Sequence, residues 1–334
     1  MAFPWQLSLS IARYVAANKL RGRRRFPLVL MLEPTLRCNL ACAGCGRIRE
    51  DRAIGSRMLS VHECLAAVEE SGAPVVSIAG GEPLLHPEIG RIVAGIVGRG
   101  RFVYLCTNGI ALRESLPKFS PNPRLSFVFH VDGLAPTHDG IAGRRGVFDM
   151  AIAGIEAAKK AGFQVRTNTT VFKGTDPKEL LSLFDLLSHL GVDGMMVAPA
   201  FGYEDVEADI FLSRAEVPGI FRPIYERRRC YRIYHSSAYL EFLAGRRALR
   251  CAPWSTPTRN PRGWKTPCYL ITDGYCESFR ELMEETEWEK YGAGNDPRCE
   301  NCMVHSGFEA SAIGEATKSL PDLWHTLRSD FLGG

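Results

Sequence analysis

With 334 residues, 46% of them hydrophobic, and a net charge of +4, the chain can bury a large core and is only mildly basic. No finger, RNP-like or helix-turn-helix signature accompanies that charge, so nucleic acid is not an expected partner. No run approaches eighteen apolar residues, and the N-terminus lacks the pattern of a signal peptide. Eleven cysteines without an export signal point to a reducing cytoplasm and to metal ligation in preference to disulfides.

The first expected element is a helix over residues 3–20, with Trp5, Leu9, Ile11, Ala12, Val15 and Ala16 mostly on one side. The basic run Arg21-Gly22-Arg23-Arg24-Arg25 follows it. Two placements fit this pattern. The helix packs on the base of the fold, or it lies on the inner face of an anionic membrane as a peripheral contact. From Pro27 to about Ala200, β-rich runs alternate with helical patterns. Strands are expected at 28–33, 74–79, 102–106, 126–131, 164–172 and 194–198, with helices near 60–71, 86–99, 148–161 and 177–190. Strands separated by helices make right-handed crossovers and a parallel α/β sheet. The chain thus divides into an N-terminal helix (1–26), a core (27–204) and a C-terminal extension (205–334).

Just past the first strand, Cys38, Cys42 and Cys45 form a Cys-x3-Cys-x2-Cys array. Three thiolates so close together can wrap one face of a cubane iron–sulfur cluster and leave a fourth iron open to a small molecule. A zinc knuckle or three ordinary thiols is the plainer alternative, but zinc sites usually draw four ligands from paired elements, and no partner pair lies nearby. About forty residues on, Gly80-Gly81-Glu82 follows a strand. The glycines allow close backbone approach to a ligand, and Glu82 offers an acceptor for an ammonium group.

The cysteine spacing and the GGE element together resemble the radical S-adenosylmethionine (SAM) superfamily. The resemblance implies an open partial (βα)6 TIM-like barrel with its ligand end at the C-terminal ends of the strands. It also implies a [4Fe–4S] cluster whose open iron chelates SAM, a reductant of the flavodoxin or ferredoxin type, and a 5′-deoxyadenosyl radical. Cys106-Thr107-Asn108, His130-Val131-Asp132 and Asn168 fall at or near strand ends. Asp132 and Asn168 are candidates to hold ribose hydroxyls or adenine edges, and Tyr203-Glu204 to approach SAM or the substrate. Glu33 and Asn108 are candidate supporting groups near the cluster. His130 reads more readily as a satisfied core histidine than as a functional one.

Beyond residue 204 the pattern changes, and from Cys251 the chain reads as loop-rich, interrupted by Pro253, Pro257, Pro261 and Pro267. Cys251-x11-Gly263-x4-Cys268 followed by Cys299-x2-Cys302 resembles the SPASM and twitch extensions of radical SAM enzymes. Four thiolates saturate a cubane, so a second [4Fe–4S] cluster, a tetrahedral zinc and a metal-free thiol group all stay open. Cys64, Cys230 and Cys276 fit no pattern and are assigned to packing.

Longer blocks narrow the likeness. Residues 26–34, 38–46, 72–84 and 102–108, Gly263-Trp264, Pro267-Cys268-Tyr269-Leu270, residues 281–286 and Cys302-Met303-Val304-His305 are similar to the adenosylhopane synthase (HpnH) family of hopanoid biosynthesis. That resemblance implies a transferase adding the 5′-deoxyadenosyl radical to the alkene of a hopene such as diploptene, or of a related isoprenoid lipid. It further implies that Cys106 quenches the resulting alkyl radical with its S–H hydrogen, whereas strand cysteines in general are buried apolar residues. The chain departs from that family at Ser306, where relatives carry cysteine, and in residues 109–111 and 205–209. The second enzyme reading is a SPASM- or twitch-type enzyme abstracting hydrogen from a peptide or metabolite. A reading of another class is a non-catalytic zinc or iron–sulfur scaffold.

Overall fold

The structure, a computed structural model, describes residues 5–46, 56–203, 206 and 209–316. Helix α1 (Trp5–Leu20) leads into β1 (Val29–Leu32), followed by α2 (Val61–Ser71), β2 (Val75–Ile78), α3 (Ile89–Gly98) and β3 (Phe102–Thr107). Then come β4 (Leu125–His130), α4 (Ala135–Ala142), α5 (Val147–Lys160), β5 (Gln164–Val171), α6 (Pro177–His189) and β6 (Gly194–Pro199). All six expected strands and four expected crossover helices are present, within a few residues of the boundaries set by sequence. Local signals explain the agreement. Ser60 and Glu63 close a reciprocal capping box at the start of α2, and Gly72 ends the helix at φ 62°, a left-handed conformation glycine adopts without strain.

β1 to β6 pair in sequential order and in parallel. Their side chains alternate. Leu30, Val76, Leu105, Phe127, Val165 and Val197 point outward and are fully buried. They lie beneath the apolar stripes of the crossover helices, such as Ile89, Ile92, Val93 and Ile96 of α3 and Leu180, Leu183, Phe184 and Leu187 of α6. Met31, Ser77, Cys106, His130, Asn168 and Met196, one from each strand, all line one interior cavity. A sheet whose six strands border a single cavity is curled around it, which is the open barrel expected from sequence. Phe127 anchors the outer layer between Phe119 and Phe163, with edge-on ring contacts at 5.3 and 5.0 Å. Phe127→Ala is expected to lower the unfolding free energy by about 3–5 kcal/mol, read as a shift of the urea midpoint at unchanged slope.

α1 packs at the base of the barrel, where Leu7 meets Val75 and Phe102, the first residues of β2 and β3, and Tyr234. One side of the helix thus takes the base placement expected from sequence. The apolar side expected of the helix is divided, however: Leu7 and Val15 are buried, whereas Trp5 and Leu9 are exposed.

The C-terminal extension differs from the loop-rich expectation. After α7 (Val217–Glu226) and α8 (Ser237–Leu243), β7 (Thr258–Asn260) pairs in parallel with β1. β8 (Gly263–Pro267) and β9 (Thr272–Cys276) continue antiparallel, making a nine-stranded sheet. The prolines that argued against regular structure flank these short strands: Pro257 and Pro261 bracket β7, and Pro267 ends β8, positions where proline costs no ladder hydrogen bond. α9 (Phe279–Glu285) and α10 (His305–Ala316) complete the described chain. Cys64 is buried as expected of a packing residue. Cys230, assigned to packing as well, is exposed beyond the end of α7.

Candidate active site

The loop carrying Cys38, Cys42 and Cys45 leaves the C-terminal end of β1 and borders the cavity together with Gly80, Gly81, Glu82, Asn108, Asp132 and Asn168. All of these sit at the same end of the sheet, where open α/β architectures place their ligands. Burial pushes the Cys38 thiol up to about 11 and that of Cys42 to about 12, and the charge of the neighbouring cysteines adds to both shifts. The three sulfurs therefore feel one another. Among the described residues, no three cysteine, histidine or acidic side chains close on one point as a single metal ion requires. Three thiols on one loop, bordering one cavity, are the donor set that a cubane takes at three of its irons.

The GGE segment does something the sequence did not reveal. Gly81 N donates to Thr35 O at 3.1 Å and Glu82 N to Arg37 O at 2.8 Å, lacing this turn to the stretch that leads into Cys38. A Cβ at Gly80 (φ 105°) would stand 2.5 Å from Thr35 O, and one at Gly81 would stand 2.1 Å from Arg37 O. The glycines thus serve close approach to the neighbouring chain, which holds the cysteine loop in register. Glu82, the expected acceptor, borders the cavity from a buried position. It is 1% exposed, Oε1 accepts from Leu84 N at 3.1 Å, and Oε2 accepts from Asn108 N at 2.8 Å. Burial raises its carboxyl to about 7 despite those donors. Asn108 is likewise committed: its Nδ2 donates to Asn39 Oδ1 at 2.7 Å, and its Oδ1 accepts from Ile110 N at 3.1 Å. Its place is that of a strut between β3 and the cysteine loop. Asn108→Ala is expected to lower the iron content reached on anaerobic reconstitution about 10-fold, as loss of supporting groups around metal sites does.

Asp132, a candidate for nucleoside hydroxyls, is instead buried, with Oδ1 accepting from Thr170 N at 2.7 Å and Oδ2 2.8 Å from His130 Nε2. His130 is the group presented to the cavity; burial lowers its basicity, but the Asp132 carboxylate overcomes this and raises it. Asn168 Nδ2 lies 3.4 Å from His130 Nδ1. Asn168 Oδ1 and, nearby, His138 Nε2 are buried in the cavity wall without a partner, polar capacity of the kind a bound polar ligand would use. His138 stands on α4, a helix not expected from sequence. It reaches the site because Ala43 N of the cysteine loop donates to Ile141 O of that helix at 2.9 Å.

Two aromatic rings cover the cysteine loop. A Cβ on Gly46 would fall 2.5 Å from the ring of Tyr203, and one on Gly44 would fall 2.5 Å from Phe172. Tyr203 is therefore at the site as expected. Phe172 is an addition, hidden from sequence because it lies just past a strand end with no motif around it. Glu204 lies outside the described residues. Glu33, at the end of β1, is fully buried and takes a long contact of 3.4 Å from Asn260 Nδ2 of the extension.

Cys106 projects from β3 into the cavity, 3.6 Å from Ser77 Oγ. Burial pushes its thiol up to about 11, so it carries its hydrogen throughout the physiological range. The second cysteine set also comes together: Cys251, Cys268, Cys299 and Cys302 border one small pocket with Ser306. Burial raises the Cys302 thiol to about 12, with the charges of Cys268 and Cys299 adding to it.

The cavity has a volume of 1090 Å³. It runs from the cysteine loop down the barrel to Tyr104, Tyr234 and α1, and its wall is predominantly apolar. This is a parallel α/β barrel that offers three thiols and a laced glycine turn to a cluster and its ligand. Residues 32–187, a little under half of the chain, match the radical SAM superfamily, so this segment is a radical SAM domain; the cofactors of that class are a [4Fe–4S] cluster and SAM. Residues 195–326 match a domain of unknown function, DUF3463.

The chain is 33% identical over 170 residues to the AdoMet-dependent heme synthase of Methanosarcina barkeri, covering 49% of this chain and 48% of that protein. It is 26% identical over 306 residues to the antilisterial bacteriocin subtilosin biosynthesis protein AlbA of Bacillus subtilis, covering 84% and 66%. Several curated relatives match over about half of their own length. In fold it is similar to SuiB of Streptococcus suis, at a TM-score of 0.65 and 15% identity over 92% of this chain and 78% of that one. These likenesses support the superfamily and the SPASM-like extension. They lend nothing to the narrower likeness to adenosylhopane synthase, and of the two enzyme readings they favour the SPASM-type one.

Proposed function

We propose that this chain is a radical SAM enzyme whose substrate is a large, mostly apolar molecule held inside the barrel, and that the reaction is adenosyl transfer to an alkene. The observation that carries this reading is the apolar cavity of 1090 Å³, which begins at the three thiols and passes Cys106 on its way to the base. That volume accommodates SAM together with a polycyclic or isoprenoid hydrocarbon.

Cys38, Cys42 and Cys45 would hold the cluster, and Asn168, His138, His130 and Tyr203 border the space for its nucleoside partner. When bound, cluster and SAM supply a 5′-deoxyadenosyl radical. The chain's own residues decide the fate of that radical. The apolar wall holds the alkene and excludes water. Addition of the deoxyadenosyl group to one alkene carbon would leave the unpaired electron on the other. Cys106 gives that carbon its S–H hydrogen, one C–H bond forming as the S–H bond breaks, with Ser77 holding the thiol. One electron from a flavodoxin- or ferredoxin-type protein and one proton then restore the thiol.

Anaerobic incubation with SAM, dithionite and diploptene, read by mass spectrometry, tests this reading. An adenosyl adduct supports it; stoichiometric 5′-deoxyadenosine without adduct would contradict it. Cys106→Ala is expected to cut the correctly quenched product at least about 10-fold while SAM cleavage persists. In the unaltered protein the quenching yield is expected to stay flat between about pH 7 and 9, since the thiol remains protonated there.

A second reading rests on the comparisons. AlbA is named for a bacteriocin, and one SuiB structure holds a precursor peptide, so hydrogen abstraction from a peptide is the alternative they favour. The four converging cysteines of the extension suit that reading, with a second [4Fe–4S] cluster as their occupant. The product of the same incubation, run with a peptide in place of diploptene, separates the two.

A further inference from the structure

α1 has two apolar stripes. At 100° per residue, Leu7, Ile11, Tyr14, Val15 and Asn18 fall within about 100° of arc and face the barrel base. Trp5, Leu9, Ala12, Ala16 and Leu20 fall within about 80° on the opposite side, and all five are exposed. Trp5 at 65%, Leu9 at 41% and Leu20 at 89% are three of the five exposed large hydrophobic residues among the described residues. Scattered surface hydrophobics are ordinary; their gathering on one stripe of one helix is not.

Charge identifies what this stripe faces. Between residues 5 and 25 every charged side chain is basic: Arg13, Lys19, Arg21, Arg23, Arg24 and Arg25. These six exceed the net +4 of the whole chain, so the rest of the protein is net acidic. All six are exposed, and Arg25 pairs with the carboxylate of Glu289. Arg101, at the base of β3, adds its charge beside Tyr14.

The stripe is also continuous with the active-site cavity. Leu9, Ala12, Ala16 and Lys19 are exposed and at the same time border the cavity, so the cavity reaches the surface along one flank of α1. We propose that α1 is a membrane-docking portal. Its outer apolar stripe seats in an anionic bilayer under the hold of the basic tract, and the lipid substrate passes from the bilayer along the flank of α1 into the barrel. The substrate route rests on the apolar-substrate reading above; the docking itself does not.

The test uses the full-length reconstituted protein and vesicles of phosphatidylethanolamine and phosphatidylglycerol, with phosphatidylcholine vesicles and duplex DNA as controls. Two variants are compared, Trp5→Ser/Leu20→Ser and Arg21→Gln/Arg23→Gln/Arg24→Gln. Both change exposed side chains, and unaltered circular dichroism and iron content confirm their folding. Co-sedimentation with anionic vesicles is expected to fall at least about 10-fold in each variant, and added salt is expected to release the unaltered protein. Failure of the unaltered protein to bind anionic vesicles, equal binding to phosphatidylcholine, or unchanged binding by the variants would overturn docking. So would preferential binding to DNA. For the route, the apolar double variant is expected to lose turnover of vesicle-embedded diploptene and to keep it with detergent-dispersed diploptene. Equal loss in both would overturn the route. An unaltered protein that binds vesicles yet adenosylates diploptene in neither form would instead contradict the apolar-substrate reading and leave docking standing.

Discussion

Replacing any one of Cys38, Cys42 and Cys45 with alanine is expected to reduce iron content after anaerobic reconstitution by about 10-fold or more and to abolish SAM cleavage. The three thiols leave one loop and border one space. Two remaining thiols cannot hold a cubane by one face, so the loss is expected to be similar at all three positions. A loss confined to one of them would mean that the site is not a three-thiolate cluster. Circular dichroism should remain unchanged, because the strands and helices of the barrel are packed by residues elsewhere, from Leu30 to Val197.

Gly81→Ala is expected to have the second largest effect. The added methyl would stand 2.1 Å from Arg37 O, closer than any ordinary contact, and Arg37 directly precedes the first cysteine. Because the obstacle is backbone, the strain cannot be relieved by turning a side chain. Overpacking of this kind costs about 1–3 kcal/mol. Here the chain can escape by breaking the 3.1 Å and 2.8 Å hydrogen bonds that lace residues 81 and 82 to Thr35 and Arg37. The expected outcome is a folded barrel with its cysteine loop displaced, seen as iron content lowered about 10-fold with a thermal midpoint within a few degrees of the parent. Gly98→Ala, where an added methyl meets nothing, is the matched control and is expected to leave iron content unchanged. If the two variants behave alike, the lacing does not position the loop.

Much of the barrel was legible because period and punctuation agreed. The runs around Leu30, Val76, Val103 and Phe127 are short, β-rich and bounded by glycine, proline and polar residues, and the intervening segments carry helical stripes. What escaped was set by long-range pairing. β7 holds its place against Met31 and Leu32 of β1, 227 positions away, so nothing local to Thr258–Asn260 announces a strand. The site shows the same division. Residue types at strand ends were readable, but their partners were not. Sequence places Glu82 and Asp132 toward a ligand and Asn108 in support of the cluster; the structure adds the amides and side chains to which each is bonded. His138 and Phe172 carry no motif and come to the site only when the chain is folded. The outer stripe of α1 was partly visible in Trp5 and Leu9. Its separation from the inner stripe depends on which side of the helix meets the barrel.

The extension is the place where likeness and geometry differ most in what they suggest. Its four cysteines converge on one pocket, as in SPASM-like extensions, but Ser306 stands at the same pocket where a further thiol would otherwise be available. The barrel cavity is apolar along most of its length, a lining that suits a hydrocarbon better than the amides of a peptide. That is why the alkene reading leads here and the peptide reading stands second.

The claim on which all of this depends is that the three-thiol end of the barrel performs reductive chemistry on SAM. Its most direct test is to measure methionine released from SAM by the anaerobically reconstituted, dithionite-reduced protein, alongside the Cys42→Ala variant. Release by the parent and none by the variant is the predicted result. A parent that binds iron in full and releases no methionine would contradict the account and leave a cluster-bearing scaffold in its place.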